Sequence, residues 1–115
     1  LCGVEVSTTI LTMELLGLDT GSLEYVPNYD LVKTALVDIK AGDTLGNDHD
    51  LRLKATIIPA TKKAPGNPVP AHMITGNKAV RDIKAGEIIT YDMIEDRSET
   101  TLWKLREEQE NTFNK

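Results

Sequence analysis

The chain has one cysteine, Cys2, among 115 residues. An internal disulfide framework is therefore excluded, and a reducing, cytoplasmic compartment is expected. Aromatics are scarce: one Trp, three Tyr and one Phe. Five scattered rings with no interleaved basic residues make no stacking platform for single-stranded nucleic acid. Bases are outnumbered 13 to 18, a net charge of −5, which speaks against a nucleic-acid partner generally. No apolar run approaches the roughly 20 residues that span a bilayer, so no membrane partner is expected. Neither an initiator Met nor a signal-like segment opens the chain, so it reads as a fragment or a processed product. Metal ligation has no pattern to stand on, because His49 and His72 lie 23 residues apart and far from Cys2. No metal ligand and no catalytic residue is assigned. The segment Asp48-His49-Asp50 reads as a solvated turn.

What is present suits an ordinary globular domain: 40% hydrophobic and 27% charged residues. The length allows one domain, or one domain with an appendage. Charge is unevenly placed. Residues 1–50 carry −7, residues 51–84 carry +6 and residues 85–115 carry −4. The basic centre surrounds residues 59–77, which hold four of the five prolines and read as a long loop with one short element near His72–Ile74. Lys62, Lys63, His72, Lys78 and Arg81 flank that loop. They are the candidate anion or substrate-rim contacts, able to neutralise a phosphorylated or carboxylated substrate. A structural reading of the same residues is that basic side chains protect exposed strand edges.

Periodicity predicts a helix over residues 4–16, with Ser7 or Thr8 as N-cap and Gly17 just past its end. Residues 17–30 have no period and read as a connector. Strands are expected over 31–39, with Leu31, Lys33, Ala35, Val37 and Ile39 sharing a face, over 51–58 and over 78–83. Residues 87–90, apolar and β-branched at Ile88 and Ile89, continue past the turn at Ala85-Gly86. A final helix is expected from Ser98 to Phe113, with Leu102, Leu105 and Phe113 as its buried stripe and Trp103 off it.

An internal repeat cuts across these elements. Asp38-Ile39-Lys40-Ala41-Gly42 recurs as Asp82-Ile83-Lys84-Ala85-Gly86, 44 residues later. The match extends to Ala35 with Ala79, Asp43 with Glu87, Leu45 with Ile89 and Asp48 with Asp92. The unit reads as strand, tight glycine turn, strand. Ile39 and Ile83 point inward, and the acid after each glycine is solvated. Gly42 and Gly86 are the structural turns, each placed where a type II turn needs positive φ. Two copies are too few for a solenoid and suit a small pseudo-symmetric β-fold.

The stretch from Ala79 through Asp82-Ile83-Lys84-Ala85-Gly86-Glu87 to Thr90, Asp92 and Ile94 resembles the SAF domain signature. That resemblance implies a β-clip, in a mainly β, α+β fold with flanking helices. A wider resemblance is to the C-terminal SAF region of homoserine-dehydrogenase-like and deoxyxylulose-phosphate-reductoisomerase-like NAD(P)-dependent oxidoreductases. It is carried by Leu1-Cys2-Gly3-Val4-Glu5 with Thr9-Ile10, by both glycine turns and by Leu102 to Glu110. It implies a helical linker over 1–30, a SAF domain over 31–98 and a C-terminal helix over 99–115. It further implies upstream Rossmann and catalytic domains as partners in the parent chain, with homo-oligomers possible. NAD(P) would belong to that parent. No Gly-x-Gly-x-x-Gly pattern occurs in the chain, so no cofactor-binding residue is assigned to it. The implied role is non-catalytic: subunit packing or an active-site rim. Other SAF regions suggest two alternatives, a module binding carbohydrate or sugar acid and an assembly or chaperone domain of flagellar or pilus type.

Overall fold

The computed structural model describes residues 3–18 and 26–113. Leu1, Cys2 and half of the expected connector, residues 19–25, fall outside them. Helix α1 spans Val4–Leu16 and strand β1 Tyr29–Ala35. Strand β2 spans Leu53–Pro59, helix α2 Ala71–Ile74 and helix α3 Thr101–Phe113. A single 3-10 turn covers Tyr91–Met93. The fold is α+β, and helix outweighs named strand among the described residues.

α1 has the expected bounds, and Gly17 closes it by donating its N–H to Met13 O at 3.1 Å. Ser7 and Thr8 are not caps. They lie inside the helix, which begins after Gly3 and gains from the Glu5 carboxylate in its first turn. β1 and β2 pair antiparallel, Leu31 opposite Ile57 and Ala35 opposite Leu53. Beyond Ala35 the chain leaves the sheet, so Val37 is exposed while Ile39 is fully buried. The strand expected over 78–83 does not form. Lys78, Ala79 and Ile83 each make an isolated bridge, to Thr44, Ile94 and Ile39 respectively.

These bridges show what the repeat does. Ile39 and Ile83 exchange two backbone hydrogen bonds, each 2.9 Å. Around them the bonds that hold the two turns come in mates 44 residues apart. Gly42 N–H donates to Ala79 O and Gly86 N–H to Ala35 O, both at 2.7 Å. Leu45 N–H reaches Asn77 O at 2.8 Å, and Ile89 N–H reaches Lys33 O at 3.0 Å. The two copies are thus related by a pseudo-two-fold axis between Ile39 and Ile83.

Side chains obey the same symmetry. Asp38 accepts the Ala85 N–H at 3.0 Å and the Lys84 ammonium at 2.9 Å. Asp82 accepts the Ala41 N–H at 3.0 Å and the Lys40 ammonium at 2.7 Å. Each copy's aspartate therefore caps the other copy's turn. These bonds hold both carboxyls below the usual range, chiefly the Ala85 amide for Asp38 and the Lys40 side chain for Asp82. The acids after the glycines are not merely solvated. Asp43 accepts the Lys40 N–H at 3.2 Å and Glu87 the Lys84 N–H at 2.6 Å, each closing its own turn.

Ile39, Leu45, Val69, Ile74, Ile83 and Ile89 form the centre of the core, all fully buried. Trp103 covers it from α3. The inward stripe of α3 is not the expected one. Leu102, Leu105 and Phe113 are 49%, 56% and 42% exposed, whereas Trp103 and Glu110 are buried. The helix is rotated by one residue, about 100°, because a charged clamp fixes it. Arg106 makes two 2.7 Å bonds to the Asp30 carboxylate, one of 2.7 Å to Glu110 and one of 2.9 Å to Thr61 O. Glu110 also accepts the Lys63 N–H at 2.8 Å. β1, the loop after β2 and α3 are thus tied through one guanidinium.

Two substitutions test this architecture. Gly42 and Gly86 sit at φ 90° and 91°, so Gly86→Val is expected to cost about 1 kcal/mol or more through backbone strain. Unchanged chemical denaturation would mean that the turn tolerates a side chain. Arg106→Ala leaves Asp30 and Glu110 buried without their partner and is expected to cost about 3–5 kcal/mol. A loss no larger than a surface substitution's would show that the clamp is ornamental.

Candidate functional site

The structure scatters the five basic candidates instead of gathering them. His72 lies on α2, exposed, beside a shallow cleft of about 330 Å³ with Leu102, Leu105 and Gln109. Lys78 is exposed, its backbone engaged by Asn77 Oδ1 and by Glu95 N–H. Arg81 stands 3.5 Å from Asp92. Lys62 is exposed, and its carbonyl accepts from Asn67 Nδ2 at 2.9 Å. Lys63 alone reaches a larger cavity.

That cavity, about 410 Å³, lies between the proline-rich loop and α3. Lys63, Ala64 and Pro65 form one wall, and Tyr91, Asp92 and Asp96 another. Trp103 and Glu107 supply the α3 side. Tyr91 and Trp103 meet edge to face, centroids 5.7 Å apart at 82°, the geometry aromatic quadrupoles favour. The Lys63 ammonium sits 5.1 Å from the Trp103 ring centroid. It donates to the Ser98 hydroxyl and stands 3.7 Å from Asp96.

Two acids of this cleft, Asp96 and Asp92, are held ionised. The Ser98 hydroxyl and amide both donate to Asp96, and with Lys63 they keep its carboxyl below the usual range. Asp92 accepts from the Thr90 hydroxyl at 2.7 Å and the Gly66 N–H at 2.8 Å, with the same result. Sequence reasoning named only Lys63 of these groups. The signal for the rest lay in Trp103, Arg106 and Glu110, whose i, i+3, i+7 spacing marks one helix face.

Elsewhere the charges are structural. Asp50 binds Gly46 N–H at 2.9 Å and the Arg52 guanidinium at 2.7 Å, which hold its carboxyl far below the usual range. Asp48 is exposed, yet it pairs with the buried Lys33 ammonium at 3.2 Å. The Asp48–Asp50 segment is therefore a solvated turn that is also anchored, through Asp48 to Lys33 and through Asp50 to Arg52. Among the described residues no three His, Cys, Asp or Glu side chains come together to hold a metal.

Tyr91 offers a clean pH test. Its hydroxyl is buried with no protein hydrogen-bond partner. Burial pushes the phenol up from 10.0 to about 12. The stability this reflects is fully present below about pH 10 and declines as pH rises through about 12. Tyr91→Phe is expected to remove that alkaline decline and to leave neutral stability unchanged or raised by about 1 kcal/mol. Urea melts at about pH 8 and about pH 11 check it; a variant that loses as much stability between them as the parent chain contradicts the assignment.

No curated protein matches the chain. The family profile of the SAF domain matches residues 32–95. These residues run from β1 through both interlocked turns to the acidic wall of the cleft. No helix among the described residues is long and apolar enough to cross a membrane. With more than half its length matched, and the repeated Asp-Ile-Lys-Ala-Gly turn at the centre of the match, the chain belongs to the SAF domain family.

Proposed function

We propose that this chain is a non-catalytic SAF module that packs, through α1, against the catalytic part of a cytoplasmic NAD(P)-dependent oxidoreductase of homoserine-dehydrogenase-like or reductoisomerase-like type. The observation that carries this reading is α1 itself. Ile10, Leu11, Met13, Leu15 and Leu16 are each more than half exposed, and they are spread around the helix instead of along one stripe. A helix that is apolar on all sides belongs inside a larger body. The resemblance of residues 1–10 to the segment that leaves the catalytic domain says which body. Among the described residues, the buried ones all lie between Val32 and Glu110, outside α1. The mutual capping of the two glycine turns supports a β-clip arrangement for that core. NAD(P) belongs to the parent enzyme in this reading.

Two results bear on the proposal. The reading frame that encodes the chain should also encode a strand-turn-helix with Gly-x-Gly-x-x-Gly; its absence removes the oxidoreductase reading. In the full-length protein, Leu11→Glu with Leu15→Glu should lower the thermal midpoint and weaken subunit association. A full-length protein indifferent to both changes would show that α1 is not a packing surface.

A further inference from the structure

We propose that the cleft between Lys63 and α3 is a docking site for the arginine side chain of a partner protein segment, independent of what α1 packs against. Its volume, about 410 Å³, falls within the range of about 300–1,000 Å³ typical of ligand clefts. Its aromatic edge is Trp103 packed on Tyr91, and the indole already holds a cation, the Lys63 ammonium at 5.1 Å. That ammonium is a built-in stand-in for the guest. It shows that the indole accepts a positive group, with acidic neighbours to balance the charge.

The charge count leaves room for one more cation. Three carboxylates line the cleft: Asp92, Asp96 and Glu107. Arg81 offsets Asp92 at 3.5 Å, and Lys63 offsets Asp96 at 3.7 Å. Glu107 lies on the exposed side of α3 at the rim of the cleft. A guanidinium suits the place better than an ammonium, because its flat fork can take the Lys63 ammonium's place over the otherwise buried indole while bonding a carboxylate with its edge. An anionic guest would face the three carboxylates with only Lys63 and Arg81 beside it, both already engaged.

The test uses the 115-residue chain, in which Trp103 is the sole tryptophan. The probes are an acetylated Gly-Arg-Gly amide and the matching Gly-Glu-Gly amide. The Trp103 indole N–H resonance and fluorescence are followed at low salt. The arginine peptide is expected to give a saturable shift that weakens as salt is added, and the glutamate peptide none. Glu107→Gln should weaken binding by about two- to fivefold, the worth of one solvent-exposed ion pair. Lys63→Met should tighten it by a similar factor, because the stand-in cation is gone. Glu107→Gln, on the exposed side of α3, serves alone if Lys63→Met does not fold. A missing shift with the arginine peptide, an equal response to the glutamate peptide, or weaker binding by Lys63→Met would overturn the assignment.

Discussion

Two backbone hydrogen bonds between Ile39 and Ile83 sit on the pseudo-two-fold axis, and the rest of the body is arranged around them. They place each glycine turn against the segment that precedes the other. From there Asp38 reaches Ala85 and Lys84, and Asp82 reaches Ala41 and Lys40. A tight turn normally leaves backbone amides to water. Here each turn has its amides met by the opposite copy, so few strand residues suffice to close a core. This explains why a body with only two named strands buries Ile39, Leu45, Ile83 and Ile89 completely.

A second constraint acts at one end of that body. The Arg106 guanidinium satisfies Asp30, Glu110 and Thr61 O together. Buried charges are tolerated only when their hydrogen-bonding capacity is met, and this one is met from three elements. The consequence for α3 is rotational. Trp103 turns onto the core and Glu107 turns out, which opens the cleft beside Lys63. The same rotation leaves Leu102 and Leu105 at the surface near His72.

The sequence reveals what local chemistry determines. The bounds of α1, the short helix in the proline-rich segment and both glycine turns follow from residue types within a few positions. The two paired strands are legible to within two residues or so at their near ends, because alternation is a local signal. Residues 78–83 mislead, since alternation cannot tell a strand from a segment that bridges several neighbours singly. The stripe of α3 misleads for a different reason. Periodicity favours Leu102 and Leu105, whereas the deciding contact joins Arg106 to a carboxylate 76 residues away. The candidate basic residues share a segment of chain, but Lys63 lines one cleft, with Arg81 paired to that cleft's Asp92, whereas His72 lines another.

The two-fold relation also sets an order of events in time. The Lys40-Ala41-Gly42 turn is capped by Asp82, and the Lys84-Ala85-Gly86 turn by Asp38. Each half holds the carboxylate that closes its own turn, Asp43 or Glu87, but not the one that meets its Ala41 or Ala85 amide. During synthesis the Ala41 amide therefore has no carboxylate to meet until Asp82 has emerged. The two repeated segments are in this way structurally interdependent, and the boundary between them survives only as a relation between residue numbers.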